Sequence, residues 1–154
     1  MAIALFCRNF ADNMNKNSSL YNKKAAFVTL GCKLNYAETS TLRDRLAARG
    51  CAPTQEDERA DIAIVNTCSV TGEADAKCRH AIHRLHREHP GAFIAVMGCY
   101  AQLSGEHIAK MEGVDLVVGQ ESKGRIIELI EEHLEARQMG ARADSTSHGG
   151  IFYH

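Results

Sequence analysis

The sequence has no run of about 18 apolar residues, which excludes an ordinary membrane-spanning helix. No basic residue precedes the apolar start at residues 1–7, so a secretory signal peptide is not expected. There is also no excess of basic charge, because 18 Lys and Arg residues face 19 Asp and Glu residues. A dedicated nucleic-acid-binding domain is usually strongly basic. We therefore expect a cytoplasmic protein without membrane contact, in which any RNA contact is local or made elsewhere.

Several short motifs are missing as well. The six cysteines, at positions 7, 32, 51, 68, 78 and 99, contain no CxxC pair, which excludes the simplest zinc ribbon and the thioredoxin motif. A Walker loop, a dinucleotide-binding glycine fingerprint and a nucleophile elbow are absent. Because the chain is neither small nor visibly secreted, we expect buried thiols, metal ligands or catalytic thiols in place of disulfides.

The apolar pattern predicts an α/β domain. Short apolar runs at residues 25–30, 62–65, 93–97 and 115–118 predict strands, and the segments 36–49, 73–89, 104–111 and 123–137 predict helices. Continuous apolar strands that alternate with helices are typical of a parallel sheet covered on both faces. We expect a mostly parallel sheet of about four to five strands.

Both ends of the chain look different from its middle. Residues 1–22 are expected to be a flexible lead-in, because the Asn- and Ser-rich run 13–19 shows no periodicity. Residues 138–154 are rich in Gly and Ser and are expected to be a linker. They end in the apolar run 151–153, which has no evident partner. This end suggests a chain cut before another domain, with a tail that could drive self-association.

Three cysteines share one position relative to the predicted strands. Cys32, Cys68 and Cys99 each lie one to three residues beyond a strand. Because the carboxyl ends of parallel strands form one binding edge, we expect these thiols to converge. Gly31 and Gly98 precede two of them and would permit close backbone approach. Three interpretations stay open: core thiols, a zinc site or an iron–sulfur cluster in which one iron lacks a protein ligand.

The other candidates have plainer interpretations. Cys51 and Cys78 are predicted to be core or surface thiols, and Cys7 lies in the lead-in. Histidines recur at every third position of one predicted helix, so they spread over half of its circumference and cannot converge on one ion. Together with nearby arginines they predict a solvated basic face, with phosphate or RNA contact as the alternative. These residues are His80, His83, His86, His89, Arg79, Arg84 and Arg87.

Three strings together identify a family resemblance. They are TLGCKLNYAET at residues 29–39, VNTCSVT at 65–71 and GCYAQ at 98–102. In this order they resemble the amino-terminal domain of the radical-SAM methylthiotransferases. The form of the strings is closest to the MtaB-type branch, which acts on N6-threonylcarbamoyladenosine in tRNA. The resemblance covers residues 23–137, which would form the methylthiotransferase amino-terminal domain.

The resemblance implies a flavodoxin-like three-layer fold and an auxiliary 4Fe-4S cluster. The cluster's metal ligands would be Cys32, Cys68 and Cys99, one from each string. Gly31, Gly98, Asn35 and Asn66 would be cofactor-binding residues around it. Asn35 and Asn66 could hydrogen-bond cluster sulfur or instead cap a turn or a helix.

The resemblance also implies parts that this sequence lacks. The family's CxxxCxxC motif, which binds a second 4Fe-4S cluster and S-adenosylmethionine, is absent because no cysteine follows Cys99. We therefore expect no catalytic residue in this fragment and no activity of the fragment alone. The complete enzyme would add a methylthio group to C2 of N6-threonylcarbamoyladenosine in tRNA. The alternatives are a non-enzymatic flavodoxin-like binding module and a structural zinc protein that uses the same thiols.

Overall fold

A computed structural model describes residues 18–68, 72–139 and 150–154 of the chain. Its sheet has the strand order β2-β1-β3-β4-β5-β6, and every pair of neighbours is parallel. The strands are β1 Lys24–Thr29, β2 Ala52–Pro53, β3 Ile62–Thr67, β4 Phe93–Gly98, β5 Val114–Val118 and β6 Ile151–Tyr153. The helices are α1 Lys33–Ala48, α2 Gly72–Glu88, α3 Cys99–Ala109 and α4 Ile126–Gln138, and a 3-10 turn, Lys123–Arg125, precedes α4.

The two central strands explain the three-layer architecture. Every residue of β3 and β4 is buried, as expected for a parallel sheet covered on both faces. Ile62 and Ile64 of β3 belong to a core shared with α1 and α4. The alternate residues Ala63 and Val65 belong to a second core shared with α2 and α3. The predicted α/β fold with a parallel sheet between helical layers is therefore confirmed.

The helices agree with the predicted segments except at their starts. The apolar face predicted for α2 is buried, with Cys78 and Ile82 fully inaccessible. Helix α1 begins at residue 33 and not at 36, and α3 begins at residue 99 and not at 104. Each of these helices follows a glycine with positive φ, Gly31 before α1 and Gly98 before α3. This conformation allows a sharp turn from strand to helix, so the helix begins within two residues of the glycine. None of the helices in the described segments is both long and apolar enough to cross a bilayer.

The sheet has more strands than the predicted four to five because two short strands lie at its edges. The expectation that residues 151–153 lack a partner is wrong, since Ile151–Tyr153 pairs with Leu116–Val118 of β5. Leu20, in the expected lead-in, is also fully buried in the first core. Residues 1–17 and 140–149, which carry most of the expected lead-in and linker, lie outside the described residues. The wider division at residues 22 and 137 stays a prediction.

One edge of the sheet gathers the ends of four strands. Thr29, Asn66, Met97 and Val118 are paired in register, so they form a row across β1, β3, β4 and β5. We call this row and the loops beyond it the carboxyl rim. In the strand order, β2 lies on one side of β1, and β4 lies on the opposite side of β3. The connections that follow β1 and β3 therefore run in opposite directions along the sheet. The topological switch point, where open parallel sheets bind ligands, therefore lies between β1 and β3.

Candidate metal centre

The carboxyl rim carries all three predicted ligand cysteines. Cys32 lies three residues beyond Thr29, Cys68 lies two residues beyond Asn66, and Cys99 lies two beyond Met97. Because adjacent strands are about 4.8 Å apart, the three loops occupy about 10 Å of one edge. Cys32 and Cys99 are exposed, whereas Cys68 is half-buried. The predicted placement of the three thiols along one edge is thus present in the fold.

Helix N-termini surround these thiols. Cys32 is the residue that caps α1, Cys99 is the first residue of α3, and Cys68 precedes the start of α2 at Gly72. The first N–H groups of a helix have no partner within it and favour negative charge nearby. The backbone N–H groups of Asn35 and Leu34 lower the pKa of the Cys32 thiol, and the Cys68 side chain contributes in the same direction. The lowered pKa of Cys32 favours its thiolate, the form that binds metals.

Gly31 brings the β1 loop into contact with Cys68. Its φ is +117°, a conformation that non-glycine residues rarely adopt. A Cβ atom at this position would lie 2.1 Å from the Cβ atom of Cys68 and 2.5 Å from its Sγ atom. The backbone at Gly31 therefore approaches the neighbouring Cys68 closely, while the role of Gly31 beside a cofactor stays a prediction.

Gly98 has the same role between β3 and β4. Its φ is +114°, and a Cβ atom there would lie 2.1 Å from the carbonyl oxygen of Thr67. The Thr67 hydroxyl also donates a hydrogen bond of 2.7 Å to the carbonyl oxygen of Met97. The loops that carry Cys68 and Cys99 are consequently held against each other, just as Gly31 holds those of Cys32 and Cys68.

Asn35 and Asn66 tie the first two strand ends together. The Asn35 side-chain nitrogen donates to the carbonyl oxygens of Leu30, at 3.1 Å, and Thr67, at 2.9 Å. Its side-chain oxygen accepts a hydrogen bond from the Cys32 thiol at 3.5 Å. The Asn66 side-chain nitrogen donates to the Asn35 carbonyl oxygen at 3.0 Å. Both amides thus position the thiol loops, while a contact with cluster sulfur stays a prediction.

The third thiol has a different partner. The side-chain nitrogen of Gln120, just beyond β5, donates a hydrogen bond of 2.8 Å to the Sγ atom of Cys99. Motif reasoning missed Gln120, although its place two residues after a predicted strand was a usable signal. Within residues 18–68, 72–139 and 150–154, no three His, Cys, Asp or Glu side chains form a group that could hold a metal ion. The structure therefore brings Cys32 and Cys68 together and leaves Cys99 on the next strand end.

The donor set fits an iron–sulfur cluster better than a single zinc ion. A structural zinc ion needs four ligands around one point, and the described residues contain no such group. The thiolates of a 4Fe-4S cluster bind different iron atoms, so they need not meet at one point. Three thiols on neighbouring strand ends, two of them at helix N-termini, are donors of the type that such a cluster takes.

The remaining cysteines are core residues, as predicted for this pair. Cys51 and Cys78 are 1% and 0% exposed. Burial raises the pKa of Cys51 to about 11 and that of Cys78 to about 12, and the neighbouring Asp61 and Asp75 carboxylates act in the same direction. Both thiols are neutral at physiological pH and are unsuited to metal binding. Cys7 lies outside the described residues.

The histidines on α2 and directly after it form no metal-binding group within the described residues. His80 and His83 are exposed, whereas His86 lies 3.9 Å from Glu112 and Nδ1 of His89 accepts a hydrogen bond from the Ala60 amide. The arginines Arg79 and Arg84 pair with Asp75 and Glu88 on the same helix. This arrangement agrees with the predicted solvated face.

A large cavity of about 780 Å³ lies at the opposite edge of the sheet, where the strands begin. Lys23, Asp61 and Arg137 contribute to its lining, and none of the five cysteines that the structure describes does. Cavity size therefore does not indicate the thiol site in this fold. Beside Cys68, a smaller cavity of about 130 Å³ is lined by Gly31, Thr67 and Tyr100 among others.

The chain is similar to known proteins over most of its length. Residues 24–119 match the profile of a family described as "Uncharacterized protein family UPF0004". The chain is 38% identical over 115 residues to the threonylcarbamoyladenosine tRNA methylthiotransferase MtaB of Aquifex aeolicus (strain VF5), covering 75% of this chain and 28% of that protein. It is 39% identical over 113 residues to MtaB of Bacillus subtilis (strain 168), covering 73% and 25%.

A related enzyme of different specificity is similar as well. The tRNA-2-methylthio-N(6)-dimethylallyladenosine synthase of Vibrio campbellii (strain ATCC BAA-1116) is 36% identical over 116 residues, covering 72% of this chain and 24% of that protein. The chain thus spans about a quarter of the length of these curated relatives. Since the matched profile covers more than half of the sequence, the chain belongs to the UPF0004 family, the amino-terminal domain of the MtaB and MiaB methylthiotransferases.

Proposed function

We propose that this domain holds an auxiliary 4Fe-4S cluster through the thiolates of Cys32, Cys68 and Cys99, and that it serves a tRNA methylthiotransferase. One observation carries the proposal, namely that three paired strand ends each lead to a cysteine. The register makes Thr29, Asn66 and Met97 neighbours. A cysteine follows each of them within three residues.

The electrostatics of the rim support a negatively charged group. Three thiolates bring three negative charges to one edge, and the N-termini of α1 and α3 offset part of that charge. The lowered pKa of Cys32 is a direct consequence, since helix N–H groups stabilise its thiolate. Only three of the four irons would have protein ligands, so the bound cluster would supply an open iron for an exogenous sulfur group.

The residues around the thiols would position the ligands and would not take part in the chemistry. Gly31 and Gly98 allow the three loops to approach, and Asn35 holds the β1 and β3 ends together. Asn66 supports Asn35 from β3. We assign no catalytic residue to this domain. S-adenosylmethionine and a second 4Fe-4S cluster belong, in this proposal, to the rest of the longer enzyme.

The substrate assignment rests on the names of the relatives. The proteins from Aquifex aeolicus and Bacillus subtilis are named threonylcarbamoyladenosine tRNA methylthiotransferases. We propose that the complete enzyme adds a methylthio group to C2 of N6-threonylcarbamoyladenosine in tRNA, in the cytoplasm. The chain has a net charge of -1, so we place most of the tRNA contact in the remaining part of the enzyme. This chain alone is expected to be inactive.

Anaerobic reconstitution with ferrous iron and sulfide tests the proposal. The unmodified chain should take up about four irons and about four sulfides per molecule and absorb in the visible range. The triple variant Cys32→Ala, Cys68→Ala, Cys99→Ala should take up neither. The matched control is the double variant Cys51→Ala, Cys78→Ala, which changes two core thiols and should keep the cluster. Circular dichroism verifies that each variant is folded.

Two outcomes of this experiment would reject the ligand assignment. Unchanged iron and sulfide content in the triple variant would show that other groups bind the cluster. Binding of one zinc ion per chain without sulfide, lost in the triple variant, would favour the structural zinc alternative.

A further inference from the structure

The end of β5 completes the carboxyl rim with an amide where the other three strand ends carry thiols. Val118 of β5 is paired with Met97 of β4, so the residues that follow them are neighbours. Two residues further along each chain segment lie Gln120 and Cys99. The side-chain nitrogen of Gln120 is 2.8 Å from the Cys99 Sγ atom.

Two further contacts determine the orientation of Gln120. Its backbone N–H donates a hydrogen bond of 2.8 Å to the side-chain oxygen of Gln102, which lies on α3 one turn after Cys99. Its side-chain oxygen accepts a hydrogen bond from Nζ of Lys123 at 3.4 Å. Because the oxygen faces an ammonium group, the nitrogen of the same amide is left to face sulfur.

Lys123 is itself held in place. Its side chain is 19% exposed and forms an ion pair with Glu38 of α1. The other oxygen of Glu38 accepts a contact of 3.5 Å from the side-chain nitrogen of Asn66, at the end of β3. A continuous series of polar contacts therefore runs from Asn66 through Glu38, Lys123 and Gln120 to Cys99. It links the end of β3 to the thiol beyond β4.

We infer that Gln120 is a positioning residue for Cys99 as a cluster ligand, an inference that rests on the proposed function. Its amide N–H orients the Cys99 side chain and donates to the sulfur. Hydrogen bonds to ligand sulfur are among the factors that set the reduction potential of iron–sulfur clusters. A donated N–H stabilises the more negative, reduced cluster, so Gln120 raises the potential.

A redox titration of the anaerobically reconstituted chain, followed by electron paramagnetic resonance, tests this role. Gln120→Leu keeps a side chain of similar length without the donor. At a fixed potential the ratio of oxidised to reduced cluster should rise about tenfold, a shift of about 59 mV to more negative potential for one electron. Gln120→Glu replaces the donor with a carboxylate and should shift the potential further in the same direction.

The chain offers a matched control in Gln138. This glutamine is the last residue of α4 and is exposed. It lines the cavity where the strands begin, at the opposite edge of the sheet from the rim. Gln138→Leu makes the same chemical change and should leave the potential and the spectrum unchanged. Thermal unfolding of the apo variants separates a local effect at the rim from a loss of folding.

The outcomes distinguish this inference from the function on which it rests. Full iron and sulfide uptake in Gln120→Leu and Gln120→Glu, with potentials and spectra equal to those of the unmodified chain, would overturn the role of Gln120 alone. Absence of any cluster in the unmodified chain would overturn both the proposed function and this inference. A negative shift in both Gln120 variants, but not in Gln138→Leu, supports it.

Discussion

A Cβ atom on Gly31 would lie 2.1 Å from the Cβ atom of Cys68, so the backbone of the β1 loop touches the side chain beyond β3. This contact places two of the three candidate ligands side by side at the topological switch point. It also makes residue 31 a position where any side chain must displace a thiol. The packing of the rim therefore requires glycine, with no Cβ atom, at position 31.

Gly31→Ala should destabilise the fold and disturb the thiol site together. The new Cβ atom overlaps Cys68, and φ near +117° is strained for alanine. We expect a loss of about 2–4 kcal/mol in the free energy of unfolding, measured in urea, and reduced iron uptake. Gly124→Ala is the control, since a Cβ atom there has no neighbour within 4 Å. Equal stability of the two variants would contradict the role of Gly31.

Asn35→Ala should loosen the connection between β1 and β3. The amide is buried and donates to the carbonyl oxygens of Leu30 and Thr67, which would lose this partner. We expect a loss of about 2–4 kcal/mol in the free energy of unfolding, because unpaired buried polar groups are costly. Thr41→Ala removes an exposed hydroxyl that bonds within α1 and should change stability by less than about 0.5 kcal/mol. A comparable effect of both substitutions would argue against this account.

The buried thiols predict a loss of stability at alkaline pH. Cys51 and Cys78 have pKa values raised to about 11 and about 12, from an ordinary value of 9.0. Above the ordinary value the unfolded chain releases these protons while the folded chain retains them, so the free energy of unfolding falls as pH rises. The fall is about 1.4 kcal/mol per pH unit for each thiol and ends near the folded pKa values.

Urea unfolding at several pH values above about 9 measures this effect. The variant Cys51→Ala, Cys78→Ala should lack the additional slope, although its stability at neutral pH is lower. If the two slopes were identical, the thiols would not be the titrating groups.

The edge strand β6 should stabilise the fold and slow hydrogen exchange at the end of β5. The ring of Phe152 lies against Gly105 of α3, where a Cβ atom would come within 2.2 Å of it, and the Gly119 N–H donates to the Tyr153 carbonyl oxygen at 2.7 Å. Phe152→Ala should lower the free energy of unfolding by about 1–3 kcal/mol, because the half-buried ring loses its packing. Hydrogen exchange at Gly119 should accelerate in parallel. Ile151→Ala, at a residue that is 49% exposed, should have a smaller effect, and the opposite order would contradict this docking.

The strands were predictable where burial is complete. Residues 62–65 of β3 and 93–97 of β4 are apolar on both faces because helices cover both sides of the sheet, so the sequence shows continuous apolar runs there. The edge strands β2 and β6 have only two and three residues, so even the apolar residues 151–153 were too short a run to predict a paired strand. Strand β6 exists because β5 offers an unpaired edge and Phe152 has a place against Gly105. Neither condition is visible in the local sequence.

The amino-acid sequence by itself determined the layered α/β fold and the position of Cys32, Cys68 and Cys99 after strands, because apolar period and motif order are local properties. Only the tertiary structure decided which groups meet at the rim. The register of four strands places Gln120 against Cys99, and the loop beyond β1 places Gly31 against Cys68. These contacts depend on pairing between residues distant in the chain, and local sequence patterns carry no information about that register.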